Sequence, residues 1–415
     1  MDEKYILGID CGTSLVKVMI VDRKGGQSGF GTGELEMIIP AEGRAEQGPE
    51  ALWRTVLRVV EDTFSKSGIR PSEIAAIGIA NQRETAVLWN KKTGRPYGNA
   101  VTWLDKRAES LCGPVSAKLG QEAVERTGMF TIPNTSAMIL TWLLRNDPAV
   151  MSGVEKEEAV FGTVNSWLLW KLTGGRAHFT DHSNMSVTQL QNAETLDYDT
   201  ETLKILGIPR CILPEIKGTG EIYGYTGKEL FGGLQIPVTG MLGDQMAAML
   251  GQGCVKKGMV KVTYGTGCFA VMNSGNIYAL PGGGLYSTLL WGNRSDRIYG
   301  LEGFYETEGD RRSEAVIEET ARRTHDIIKR MEKLSGIKVD CLRVDGGMTK
   351  SGHLCQFQAD ILGIPVERPS VSEATVLGAV YQAGITAGFW SSVEETASLW
   401  KMEKRFEPGN KKGHI

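Results

Sequence analysis

Residues 5–26, "YILGIDCGTSLVKVMIVDRKGG", carry the reading of the fold. Val16, Val18 and Ile20 alternate with period two, Gly12 sits where the chain must turn, and Gly25-Gly26 marks a second turn, so the stretch predicts a β-hairpin rather than a strand-helix-strand crossover. Working outward, "PEALWRTVLRVVEDTFSKSG" (49–68) places Trp53, Val56, Leu57 and Val60 on one helical face, with Gly68 just past the end. "IAAIGIANQ" (74–82) reads as a buried strand, and "TAVLWNKKTGRPYG" (85–98) as a strand and turn. Strands interspersed with amphipathic helices predict an α/β layered domain.

The theme begins again at 260–275, "VKVTYGTGCFAVMNSG", as strand, Gly/Thr-rich turn and strand, followed by strands in 282–292 and 296–305. A long helix, "SEAVIEETARRTHDIIKRMEKLSG", follows at 313–336. Next come a strand and glycine turn, "LRVDGGM" (342–348), and two helical stretches flanking the short strand "PVERP" (365–369). Two halves that open alike suggest a duplicated fold with a ligand between two lobes. The expected division is 1–240, 241–400 and a frayed polar tail, 401–415.

A chain of 415 residues exceeds what one core usually serves. Basic and acidic side chains number 46 and 49, for a net charge of −3, which gives no bulk attraction to nucleic acid or to an anionic membrane. The start lacks a signal-like apolar region and no apolar run approaches the roughly 20 residues of a membrane span, so a cytoplasmic protein is expected. The seven cysteines are scattered without metal-ligand spacing and read as reduced thiols. His178 and His182 are four apart, but "AHFTDHSN" (177–184) reads as a loop, where that spacing would not put both rings on one face.

Five stretches carry chemistry. "GIDCGTS" (8–14) ends a strand with a carboxylate, Asp10, and follows it with amides and hydroxyls suited to a phosphate and its Mg²⁺. "TYGTGCF" (263–269) and "VDGGM" (344–348) are further glycine turns after strands, neither a Walker loop nor a dinucleotide fingerprint. "GMLGDQMAAMLGQG" (240–253) sets Asp244 at a helix start, where it would serve as an N-cap or as a base taking a hydroxyl proton. "NQRET" (81–85) places Arg83 beside Glu84 at a strand's carboxyl end, which in α/β folds faces the ligand crevice; Arg83 is expected to be the partner of Glu84.

In this order, together with "GTVNSWLLWKLTGG" (162–175) and "QFQADILGIPVERP" (356–369), these stretches resemble the FGGY family of carbohydrate kinases, and within it the glycerol kinases most closely, from "GIDCGTS" to "GITAGFW" (384–390). The resemblance implies two actin-like (RNase H-like) domains with ATP and substrate in the cleft between them, and dimers. It implies ATP-dependent phosphorylation of glycerol to glycerol 3-phosphate. Residue by residue, Arg83 and Glu84 would hold the substrate hydroxyls, Trp103 and Phe269 its carbons, and Asp244 would be the base with Gln245 beside it. Asp10 would orient Mg²⁺, with Gly12, Thr13, Ser14, Thr266 and Gly267 at the phosphates and Gly346 and Gly347 on the adenosine side.

Three departures stand out. Asn134, in "IPNTS" (132–136), occupies the place of a hydroxyl-bearing aromatic, which would move preference toward another small polyol or a ketose. Ser351 replaces an adenine-contacting Asn. Between "LEGF" (301–304) and the long helix, the run "ETEGDRR" (306–312) stands where the family has a helix, an irregular segment and a strand. The loss of that layer predicts an apolar sheet in need of cover, and an alternative in which the chain keeps the polyol pocket but handles nucleotide poorly.

Overall fold

In the computed structural model, which describes residues 4–265, 267–307, 309–310 and 313–409, the chain is organised around two mixed sheets. The first contains β1 (Tyr5–Cys11), β2 (Leu15–Asp22), β3 (Gln27–Glu34), β4 (Ile74–Asn81), β5 (Gly224–Tyr225) and β6 (Pro237–Gly243), in the order β5-β6-β4-β1-β2-β3. The opening hairpin is as predicted: β1 and β2 are antiparallel with Asp10 opposite Lys17. β4 and β6 then add in parallel.

The second sheet contains β7 (Val260–Tyr264), β8 (Gly267–Gly275), β9 (Tyr286–Gly292), β10 (Arg297–Glu306), β11 (Leu342–Asp345), β12 (Val366–Pro369) and β13 (Met402–Phe406), in the order β9-β10-β8-β7-β11-β12-β13. Its β10-β8-β7 antiparallel triple followed by parallel β11 and β12 repeats β3-β2-β1-β4-β6. The duplication suggested by the two glycine turns is therefore a duplication of topology.

Helix α1 (Pro49–Ser67) lies on β2 and β3, burying Leu52, Trp53, Val56, Val59 and Val60, and ends at Gly68 with φ 71°. Helix α2 (Ser136–Asn146) starts at a Thr135 cap, and α3 (Asp244–Gly251) leaves the end of β6. Helices α4 (Glu314–Ser335) and α5 (Gly352–Leu362) cover the outer face of the second sheet, where Ile317, Ala321, Ile327, Ile328 and Met331 meet Val262, Tyr264, Ala270 and Leu301. The cover that this apolar sheet was expected to need comes from α4, which lays its own apolar stripe on that face.

Helix α6 (Ala374–Thr386) follows β12 but packs on the first sheet, and crosses α3, which packs on the second. The crossing is close. A Cβ on Gly378 would stand 1.8 Å from the Ala247 carbonyl oxygen, and one on Gly251 1.9 Å from that of Ala374, so only glycine allows this approach.

Three sequence expectations need correction. The division at 240 falls inside β6, which belongs to the first sheet through Gly243. The "tail" begins as β13, paired antiparallel to β12, because Phe406 is buried and Arg405–Glu367 and Arg368–Glu403 pair across the strands. "AHFTDHSN" is a short strand, Phe179–Asp181, and a helical turn from His182, because the Asp181 carboxylate accepts from Ser183 and Asn184 N–H. His178 Nε2 donates to the Phe161 carbonyl and His182 Nδ1 accepts from Gln191, so the two rings face different partners.

Candidate active site

The carboxyl ends of β1, β4 and β6 and the inner face of the second sheet enclose a cleft of about 400 Å³. It is lined by Asp10, Gly12, Thr13, Ser14, Arg83, Glu84, Trp103, Asn134, Asp244, Gln245, Gly267 and Phe269, all singled out from sequence. Gly346, Gly347 and Ser351 are not among its lining residues. Gly346 packs on the Tyr264 backbone, Gly347 is exposed, and the Ser351 hydroxyl caps α5 by accepting from His353 N–H. Thr266 lies outside the described residues.

The Arg83–Glu84 turn works differently from the expected pair. Glu84 has φ 66°, and Thr85 N–H donates to the Arg83 carbonyl at 2.7 Å, which makes a γ-turn. A non-glycine residue held there costs about 1–3 kcal/mol. Ser136, at the start of α2, compensates: its N–H donates to Glu84 Oε2 at 2.7 Å and its hydroxyl to the Glu84 carbonyl at 2.8 Å. Arg83 turns the other way, with Nη1 and Nη2 on the two Glu302 oxygens at 2.7 and 2.6 Å and Nε on Asp244 Oδ1 at 3.0 Å. The two adjacent charges thus have separate partners, because the left-handed turn sends their side chains apart. Burial pushes Glu84 up to about 8.

Asp244 is the first helical residue of α3, and Gly243, not Asp244, occupies the capping position. Its Oδ1 accepts from Arg83 and from Gln245 N–H at 2.7 Å, while Oδ2 takes no hydrogen bond among the described residues. Burial raises the carboxyl above its ordinary range, opposed by Arg83 and Lys261. The preceding peptide is fixed from behind, since Gly243 N–H donates to the Ser183 hydroxyl at 2.9 Å and that hydroxyl donates to Asp181.

Register sorts the second sheet's inner face into two rows. Tyr286, Glu302, Val271, Lys261 and Arg343 form one; Phe304, Phe269, Thr263 and Asp345 form the other. Sequence reasoning missed Tyr286, Glu302, Phe304 and Lys261. The alternation of Glu302 and Phe304 on β10 and the charged Lys261 inside an apolar strand were the available signals. Phe269 and Phe304 lie 4.5 Å apart and Trp103 stands about 6 Å from both, which gives the cleft an aromatic wall. The Trp103 indole N–H donates to Thr13 Oγ1 at 2.9 Å. Lys261 is fully buried, with its ammonium on Gln245 Oε1 and, at 3.0 Å, Thr263 Oγ1; burial lowers its pKa against the pull of Asp345, Glu302 and Asp244.

At the other end, the Gly12–Ser14 turn is shaped by Gln47, whose amide donates to the Thr13 carbonyl at 2.8 Å, and by Gln82, whose amide donates to Gln47 at 2.7 Å and to the Gly12 carbonyl at 3.2 Å. Asp10 Oδ1 is buried with no hydrogen-bond partner, and burial, together with Asp244 and Glu373, pushes the carboxyl up to about 7 against Lys17. Lys17 lines the cleft and pairs with Glu373, the residue before α6. A buried carboxylate oxygen without a partner suits a divalent cation held mainly by phosphate oxygens and water, since the described residues gather no group of three or more metal-ligating side chains. A Cβ on Gly265 would meet no atom nearer than 3.5 Å, so that turn leaves room for a phosphate.

Residues 5–251 match the model of the N-terminal domain of the FGGY family of carbohydrate kinases, and residues 312–387 that of its C-terminal domain. A glycerol kinase 2 of Thermotoga maritima is 39% identical, over 98% of this chain and 94% of the relative. A glycerol kinase of Listeria welshimeri is 37% identical, over 98% and 95%. The alignment with the Thermotoga protein spans 469 positions against a chain of 415, so at least 54 positions have no counterpart here. Among solved structures, a Plasmodium falciparum glycerol kinase with ADP superposes with a TM-score of 0.90 at 28% identity, covering 97% of this chain and 94% of that one. A xylulose kinase of Lactobacillus acidophilus, at 18% identity and a TM-score of 0.83 over 98% and 94%, shares the fold. The two matched domains, the identity along nearly the whole chain and the duplicated actin-like topology make this protein a member of the FGGY family of carbohydrate kinases, an enzyme that phosphorylates a sugar or polyol.

Proposed function

We propose that the chain transfers the γ-phosphoryl group of ATP to a terminal hydroxyl of glycerol, giving glycerol 3-phosphate. The observation that carries the reading is Asp244: one oxygen is tied to Arg83 and Gln245 N–H, and the other is left for a substrate proton in a cleft with an aromatic wall. Phosphoryl transfer asks for in-line positioning and charge neutralisation more than for covalent participation. Arg83 has five N–H donors, and its contacts with Glu302, Asp244 and the Met246 sulfur leave one to reach a hydroxyl. Glu84 Oε1 is available to a second hydroxyl, and Gln245 keeps its amide N–H groups because Lys261 occupies its oxygen.

Trp103, Phe269 and Phe304 shield the carbons and exclude water, limiting hydrolysis of ATP. Asp10 would hold Mg²⁺, whose charge offsets that of the phosphates beside the Gly12–Ser14 and Gly265–Gly267 turns. Raised by burial, Asp244 accepts the proton as the hydroxyl attacks. Gly346, Gly347 and Ser351 are assigned to the adenosine side by family likeness, Thr266 to the phosphates and dimerisation to the whole.

Asn134 supports a second reading, a kinase for another small polyol or a ketose, since an amide there offers both a donor and an acceptor. Titration calorimetry with glycerol, and separately with a non-hydrolysable ATP analogue and Mg²⁺, tests the function. Binding of both is expected; glycerol binding without nucleotide binding would mean that a pocket has outlived its chemistry.

A further inference from the structure

Glycerol has three hydroxyls, and on the polyol reading Asp244 Oδ2 and Glu84 Oε1 accept from two of them, whereas the free N–H groups of Arg83 and Gln245 can only donate. The proton of the third hydroxyl therefore calls for a further acceptor. Tyr286 is placed to supply it. It lies on β9 directly opposite Glu302 of β10, so both side chains project from the inner face of the second sheet, and Tyr286 lines the cleft. Glu302 itself is taken up by Arg83, which grips both of its oxygens. A phenolic oxygen has lone pairs with which to accept. Tyr286 packs against the apolar cluster that contains Met129 and Val187, which line the same cleft. Asn134, from the first half, also lines the cleft.

We propose that Tyr286 is a specificity-determining residue whose hydroxyl oxygen accepts a hydrogen bond from a substrate hydroxyl other than the one phosphorylated, so that the second sheet reads the polyol as well as the nucleotide. The assignment rests on the polyol-kinase reading. It has a structural consequence: the hydroxyl-bearing aromatic that position 134 lacks is provided from the opposite wall. Recognition is complete only when both halves face one another across the cleft.

Steady-state kinetics of the parent chain and Tyr286→Phe with glycerol, propane-1,2-diol and propane-1,3-diol tests this. The variant removes one oxygen and keeps the ring. Expected for glycerol is a KM raised about five- to tenfold, with kcat within about twofold and the KM for ATP unchanged. Each diol lacks one non-reacting hydroxyl, so one diol should be indifferent to the substitution while the other suffers as glycerol does. An unchanged glycerol KM overturns the proposal. An equal loss on all three substrates also overturns it, since the phenol then acts only by orienting Glu302. If the parent chain phosphorylates none of the three and binds none by calorimetry, the polyol reading itself fails and takes this assignment with it.

Discussion

Replacing Glu302 by Gln probes the contact that joins the two halves at the cleft. Glu302 is 0% exposed and Arg83 8%, and the two N–H···O contacts are 2.6 and 2.7 Å. Removing one member of a buried pair costs about 3–5 kcal/mol, because the other charge stays desolvated. The Gln oxygen retains one hydrogen bond, worth about 1 kcal/mol, so a net loss of about 2–4 kcal/mol is expected. At about 2–4 °C per kcal/mol for domains of roughly 200 residues, the thermal midpoint should fall by about 5–15 °C. The loss should persist in molar salt, since a buried pair is poorly screened. The double variant Arg83→Met with Glu302→Met should recover part of the loss, as a hydrophobic isostere of a buried pair is often neutral or better. Urea unfolding followed by tryptophan fluorescence gives the free energies directly. A Glu302→Gln chain within about 0.5 kcal/mol of the parent would refute the reasoning.

Two further outcomes follow from the geometry. Gly378→Ala should cost about 2 kcal/mol or more, because its Cβ would press on the Ala247 carbonyl where α6 crosses α3; an unchanged thermal midpoint would show that the crossing yields. Glu84 is raised to about 8 from an ordinary 4.5, so its contribution to stability is fully present below pH 4.5 and is lost as the pH rises through about 8. Glu84→Gln should therefore gain on the parent, in the ligand-free thermal midpoint, as pH rises from 5 to 8.5; parallel profiles would contradict the burial argument.

What the sequence made legible was local. The period-two run through Val16, Val18 and Ile20 identified the hairpin, and the spacing in 49–68 and 313–336 identified α1 and α4 with their ends. Twelve of the singled-out residues line one cleft. They were legible because strand ends and glycine turns leave strong marks and because long collinear motifs matched a family. What was not legible was partnership. Arg83 and Glu84 are adjacent in sequence, but the left-handed φ of Glu84 and the reach of Glu302, 219 residues away, assign them different partners. Tyr286 and Phe304 carry no motif, and only the register of β9, β10 and β8 turns them toward the cleft. The cover on the second sheet was likewise a matter of where α4 lies, which its stripe of Ile317, Ala321, Ile327 and Met331 permits but does not specify.

The most direct test of the central claim is ³¹P NMR of the purified chain with ATP, Mg²⁺ and glycerol, run beside Asp244→Asn. The account predicts a glycerol phosphomonoester and ADP in equal amounts from the parent chain. It predicts no phosphomonoester from the variant, whose glycerol affinity should stay within about tenfold of the parent's. Inorganic phosphate with ADP and no phosphomonoester, or equal turnover by both chains, would contradict it.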